Sequence, residues 1–113
     1  MLAAFATLPD GAKAIAEALP FTTALSSIDL SENDLCGVRY GGTYDASGIR
    51  AIADALASGI TAMTSIDVGY NDLDEEAALG IVRAARQHDK MTYLGLASCK
   101  IGPTGAKEIV EYI

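Results

Sequence analysis

The sequence has no tryptophan, one histidine, two cysteines, three prolines, two phenylalanines and five tyrosines. Each shortage closes off a class of explanation. With so few aromatics there is little to fill a bulky globular centre, and the apolar half of the chain leans on alanine, which suits helices lying close against a flat sheet. His88 and two cysteines outside any CxxC pair give no metal-spaced set, no HExxH and no nucleophile elbow, so neither an enzyme nor a cofactor or metal protein is expected. Cys36 and Cys99 stand far apart and read as reduced thiols, which points to the cytoplasm. Basic residues are scarce too, eight Lys and Arg against 15 Asp and Glu, for a net charge of −7. Clustered positive charge of the kind phosphates require is missing, so nucleic acid and anionic membrane are excluded as partners, and a basic protein surface is favoured. No uncharged stretch approaches the ~20 apolar residues that span a bilayer. Met1–Pro9 is apolar but lacks the basic n-region of a secretory signal.

What is present is a repeat. Leu25-Ser-Ser-Ile28-Asp-Leu30-Ser-Glu-Asn33-Asp-Leu35 aligns without gaps with Met63-Thr-Ser-Ile66-Asp-Val68-Gly-Tyr-Asn71-Asp-Leu73. Met91-Thr-Tyr-Leu94-Gly-Leu96-Ala-Ser-Cys99-Lys-Ile101 aligns with both. All three read LxxLxLxx(N/C)xL once Met, Ile and Val count with Leu. The alternation Ile28-Asp29-Leu30, Ile66-Asp67-Val68 and Leu94-Gly95-Leu96 is that of a short strand with one face inward. Asn33 and Asn71 fall where the chain leaves the strand, and there a side-chain amide can bond backbone groups of its own and neighbouring turns in a stacked ladder.

A second pattern lies between the strands. Gly11–Leu19, Gly48–Leu56, Ala77–Ala85 and Gly105–Ile113 each place apolar residues at offsets 1, 4, 5 and 8 from the first residue, one face of a helix. Lys13, Glu17, Arg50, Asp54, Arg83, Lys107, Glu108 and Glu111 lie off that face. Asp10, Ser47, Glu75 or Glu76, and Thr104 occupy N-cap or first-turn positions. His88 reads as a charge at a helix C-terminus. The predicted order is α-β-α-β-α-β-α, with parallel strands joined by helices that fold back on one side.

On these residues, from about Leu8 onward, the chain resembles the leucine-rich repeat proteins, and its long helical segments and 28-residue spacing from Met63 to Met91 resemble their ribonuclease-inhibitor-like subclass. The resemblance implies an α/β fold, a right-handed solenoid or horseshoe segment with three short parallel strands on its concave face and about four helices on its convex face. It implies a single domain, 1–113, divided into a half-repeat 1–24 and repeats at about 25–62, 63–90 and 91–113. Cys99 fits it as well, since a small thiol takes the asparagine's buried slot in this family. Asn33, Asn71 and Cys99 are thus expected to form a structural ladder.

The spacing from Leu25 to Met63 is 38 residues, and most of the excess is an insert at 36–45, Cys36-Gly-Val-Arg-Tyr-Gly-Gly-Thr-Tyr-Asp45. It is rich in turn formers, and Arg39, Tyr40 and Tyr44 are of the types that anchor interfaces. The outward strand positions offer another surface. Asp29, Ser31 and Glu32 stack beside Asp67 and Tyr70, with Tyr93 flanking, an acidic and lightly aromatic strip suited to a basic protein segment. The expected function is a non-catalytic protein-interaction module or scaffold. Two alternatives stay open: a fragment of a GTPase-activating protein of the Ran type, whose solenoids share this architecture, with Arg39 as its arginine finger; and a structural segment that assembles with itself. The last rests on the ends, where neither terminal unit has the polar outer face of a cap, so further repeats or a homo-oligomer are expected to cover them.

Overall fold

The computed structural model describes residues 2–3, 8–22, 24–38, 42–58, 62–88 and 90–112, without the side chains of 2, 3, 109, 111 and 112. Strands form where β-branched and leucine residues alternate with polar ones. They are Ser27–Asp29 (β2), Ser65–Asp67 (β3) and Tyr93–Gly95 (β4), and a two-residue strand, Leu2–Ala3 (β1), adds a fourth. All pair in parallel in the order β1-β2-β3-β4. The register is one for one: Leu2, Ile28, Ile66 and Leu94 form one row, and Ala3, Asp29, Asp67 and Gly95 the next. Equal motif positions therefore sit side by side.

Parallel strands cannot be joined by a tight turn, and three of the four helical patterns supply the crossovers, the fourth following β4. The four form α1 (Leu8–Ala18), α2 (Ser47–Ala57), α3 (Glu75–His88) and α4 (Pro103–Tyr112), with a 3-10 turn at Leu19–Phe21 after α1. Strand residues of even register face these helices. Ile28, Leu30, Ile66 and Val68 are at most 2 % exposed and share one core with Ile49, Ile52, Leu56, Leu73 and Ile81. Burying each side chain of this size contributes about 1.5–3 kcal/mol. Gly48, the first helix-pattern residue of α2, is where α1 approaches most closely: a Cβ there would lie 2.6 Å from both the Ala12 Cβ and the Pro9 carbonyl. The molecule is a slab of 36 × 32 × 19 Å.

The helix starts differ from expectation in detail. Asp10, Glu75 and Glu76 are first-turn acids as expected. The cap of α3, however, is Asp74, whose carboxylate accepts the Ala77 N–H at 2.9 Å. Ser47 is already inside α2 and caps nothing; its own N–H donates to Asp45 Oδ1 at 2.9 Å. Thr104 follows Pro103, which takes the first position of α4, because a ring nitrogen gives up no hydrogen bond there. Glu75 does more than its position suggested. It reaches out of α3 to accept the Gly102 N–H just before α4. His88 is likewise not a solvent charge: it is 3 % exposed, its ring Nε2 lies 2.6 Å from the Met63 carbonyl, and a carbonyl can only accept, so Nε2 carries the proton.

Candidate functional site

The face of the sheet away from the helices carries the outward residues of each strand. Ser27, Ser65 and Tyr93 form one row across it, and Asp29, Asp67 and Gly95 the next. The two aspartates are thus direct neighbours, as the repeat predicted. Their carboxylates are held by their own chain. Asp29 Oδ1 accepts the Ser31 N–H at 2.9 Å and the Ser31 hydroxyl at 2.6 Å. Asp67 Oδ1 accepts the Gly69 N–H at 2.9 Å. Each is an Asx turn that bends the chain out of its strand. The Ser31 hydroxyl, and after it the Ser31 N–H, hold the Asp29 carboxyl below the usual range. The signal for both turns was in the sequence, Asp-x-Ser and Asp-x-Gly at the same motif positions.

Gly95 shows why β4 departs from the Ser-Ile-Asp of its neighbours. A Cβ at Gly95 would fall 2.4 Å from the Asp67 Cγ and 2.5 Å from its Oδ1, so the Asp67 carboxylate lies over the glycine of the next strand. Gly69 and Gly95 are buried in consequence, whereas the flanking side chains stand out: Tyr70 is 49 % exposed and Tyr93 55 %. Glu32, exposed on the same side, and Tyr70 occupy equal positions and are both left-handed, with φ of 58° and 56°. Their backbone N–H groups reach the next unit, Glu32 to the Gly69 carbonyl at 3.1 Å and Tyr70 to the Ala97 carbonyl at 2.9 Å. The conformation costs a side-chain-bearing residue about 1 kcal/mol, and these bonds offset it.

Behind this face runs the ladder. Asn71 is fully buried. Its Oδ1 accepts the N–H groups of Asn33 at 2.8 Å and Leu35 at 3.1 Å, one unit back. Its Nδ2 is within reach of the carbonyls of Leu30, Val68 and Gly69, at 2.8, 3.1 and 2.9 Å. Asn33, equally buried, donates from Nδ2 to the Ser31 carbonyl at 2.9 Å. Cys99 takes the third position, but its Sγ has only a 3.9 Å contact with the Ala97 carbonyl. Both cysteines are free thiols, and burial pushes each up to about 11. One element of the stack was not expected: Thr64 and Thr92 each donate both N–H and hydroxyl to the preceding unit, to the Ser26 and Thr64 carbonyls respectively. The recurrence of Ser26, Thr64 and Thr92 at one motif position was the available sign.

The insert closes on itself, with the Asp45 N–H donating to the Cys36 carbonyl at 2.8 Å. The Val38 N–H meets Asp34 Oδ1 at 3.0 Å. Tyr44 reaches back toward α3 while staying 37 % exposed. Its hydroxyl accepts the Asp74 N–H at 3.4 Å and also bonds the Cys36 thiol, and burial raises its pKa. Tyr44 therefore ties the insert to the start of α3 and stands apart from the strand row of Asp29, Asp67 and Tyr93. Arg39 and Tyr40 lie outside the described residues. A cavity of about 360 Å³ separates the insert from the start of α1, lined by Leu8, Pro9, Asp10, Gly37, Thr43 and Asp45. Among the described residues no group of three His, Cys, Asp or Glu is arranged to hold a metal ion, and no helix is long and apolar enough to cross a membrane.

Comparison with known families gives one match: a family model described as a leucine-rich repeat covers residues 88–110. That stretch runs from the end of α3 through β4 and most of α4, and the match supports a leucine-rich repeat protein. Comparison with curated proteins gives no match.

Proposed function

We propose that the chain is a non-catalytic protein-interaction module, and that it reads its partner on the helix-free face of the sheet. The observation that carries this is the row Asp29–Asp67–Gly95 beside Ser27–Ser65–Tyr93, with Tyr70 and Tyr93 standing exposed at its flank. Two rigid aromatics beside carboxylates already oriented by their own turns suit a basic, extended segment. The tyrosines supply contact area at little entropic cost, and the aspartates offer negative charge to an incoming cation. On this reading the face is the concave side of a horseshoe segment of the ribonuclease-inhibitor-like kind. Units at about 25–62, 63–90 and 91–113 follow a half-repeat, in one domain, 1–113, that acts as a scaffold in the cytoplasm.

The test is binding of lysine- and arginine-rich peptides to the whole chain, followed by fluorescence anisotropy. Tyr93→Ala and the pair Asp29→Asn, Asp67→Asn should each weaken binding roughly tenfold, with the aspartate effect shrinking as salt rises. Equal losses from Arg50→Ala on the helix side would remove the strand face as the site.

A further inference from the structure

We infer that the insert is a releasable strap: Tyr44 stands in for a side chain that α2 lacks, and its withdrawal loosens the start of α3 and uncovers the Cys36 thiol. The inference stands apart from the partner reading above and uses none of the strand-face residues.

The helix starts show what is being replaced. Counting from the helix-pattern residues Gly48, Ala77 and Gly105, the backbone N–H three places earlier belongs to Asp45, Asp74 and Gly102. Each finds a different acceptor. Gly102 gives its N–H to the carboxylate of Glu75, two places ahead of Ala77. The residues two places ahead of the earlier patterns are Pro9 and Ala46, and neither side chain can accept a hydrogen bond. The insert supplies both missing groups. Its Cys36 carbonyl takes the Asp45 N–H at 2.8 Å, and its Tyr44 hydroxyl takes the Asp74 N–H at 3.4 Å.

The place left vacant at Ala46 is a cavity of about 180 Å³ between α2 and α3. Ala46, Asp74 and Ala77 line it, the counterparts of Glu75, Gly102 and Gly105. One junction further on, the Glu75 carboxylate fills the matching space, and a Cβ at Gly105 would lie 3.1 Å from its Oε2. Arg50 and Arg83 share the cavity lining with Asp74 and Glu76, so the charges balance and the space favours neither an anion nor a cation.

Tyr44 is the part of this junction that can leave. Its ring stays partly in solvent, whereas Leu35, Cys36, Ile49 and Leu73 beneath the insert and α2 are at most 1 % exposed. Besides accepting the Asp74 N–H, its hydroxyl bonds the Cys36 thiol and the Asp74 carboxylate. These contacts share one oxygen, and the N–H bond is at the long limit for a hydrogen bond. Asp74 in turn caps α3 through the Ala77 N–H, so losing the phenol is felt in the first turn of the helix. Gly37, left-handed at φ 70°, gives the chain a turn at the base of the strap.

Amide exchange and thiol labelling of the whole chain test this. In the wild type, the Asp74 amide and the Cys36 thiol should open together, and more readily than the amides of Leu30 and Ile81. Tyr44→Phe keeps the ring and removes only the hydroxyl. It should speed exchange at Asp74 and maleimide labelling of Cys36 about tenfold each, as the loss of one such bond implies, with Cys99 labelling unchanged. Adding Ala46→Gln places an acceptor as long as Glu75 in the cavity without a further charge beside Asp74 and Glu76. The double variant should regain protection at Asp74 while Cys36 stays fast to label. A Tyr44→Phe chain with both rates unchanged overturns the inference, as does one in which Cys99 speeds up equally. So does a double variant whose Asp74 amide stays unprotected, or a wild-type Cys36 that reacts only on global unfolding.

Discussion

Asn71 and Cys99 occupy the same position in consecutive units and are held very differently. The asparagine is sealed and binds backbone on both sides of itself. The thiol is half-buried with one long contact. The helices repeat the contrast. Ile81 and Val82 in α3 are fully buried, but Val110, one of the matching positions in α4, is 70 % exposed. What joins α4 to α3 at the surface is charge: Arg83 donates to both Glu108 oxygens, at 2.7 and 3.0 Å, and Arg86 to the Glu108 carbonyl at 3.1 Å. A repeat is therefore as stable as its neighbours make it. The inner units are covered on both sides and the last on one, and near-identical motifs settle into different packing.

The sharpest way to break the comparison is at the ladder itself. Asn71→Ala leaves the Asn33 and Leu35 N–H groups and the Leu30 carbonyl without their partner in a dry interior, and should cost roughly 3 kcal/mol or more by urea denaturation. Cys99→Ala should cost about 1 kcal/mol or less. Similar losses at the two sites would mean that the last unit is as tightly held as the inner ones.

Two glycines give the next effect, with opposite signs. Gly95→Ala forces its methyl into the Asp67 carboxylate, breaking the turn to Gly69 for about 1–2 kcal/mol, and Asp67→Ala in the same chain should recover part of that. Gly80 sits inside α3 with nothing within 4 Å of an added Cβ. Gly80→Ala should stabilise by about 0.5–1 kcal/mol, because alanine loses less backbone entropy in a helix.

The smallest effect is local and set by pH. The Arg83 guanidinium holds the Glu108 carboxyl below its usual range. A lowered carboxyl pKa stabilises the folded state above the unfolded value of about 4.3 and is lost as pH falls through the folded value. Amide exchange in α4 should accelerate on acidification before that of α2 or α3 does, and Glu108→Gln should remove the difference.

Much of this was readable from spacing. The motif positions located β2, β3 and β4 and the inner face of each, because alternation in a strand and offsets in a helix are properties of a few adjacent residues. Asn33 and Asn71 were identifiable for the same reason. Three features had no local signature. β1 is two residues long and carries no motif, and it exists because Ile28 and Asp29 offer an edge to pair with. Tyr44 reads as a contact residue among turn formers, yet it bonds Asp74 from 30 residues away. His88 went the same way. Beside Arg86 at a helix end it looks solvated, and only the strand approach at Met63 puts a carbonyl against its ring.

Spacing alone, then, was enough for the repeat, its strand faces, its helix faces and the neighbouring aspartates of Asp29 and Asp67. Only the folded stack settled how those aspartates are used, since the Asp67 carboxylate lies across Gly95, a residue 28 positions on. Only the stack made Asn71 a keystone and Cys99 a bystander, for the value of a buried polar group depends on what closes over it, and that is supplied by the next unit.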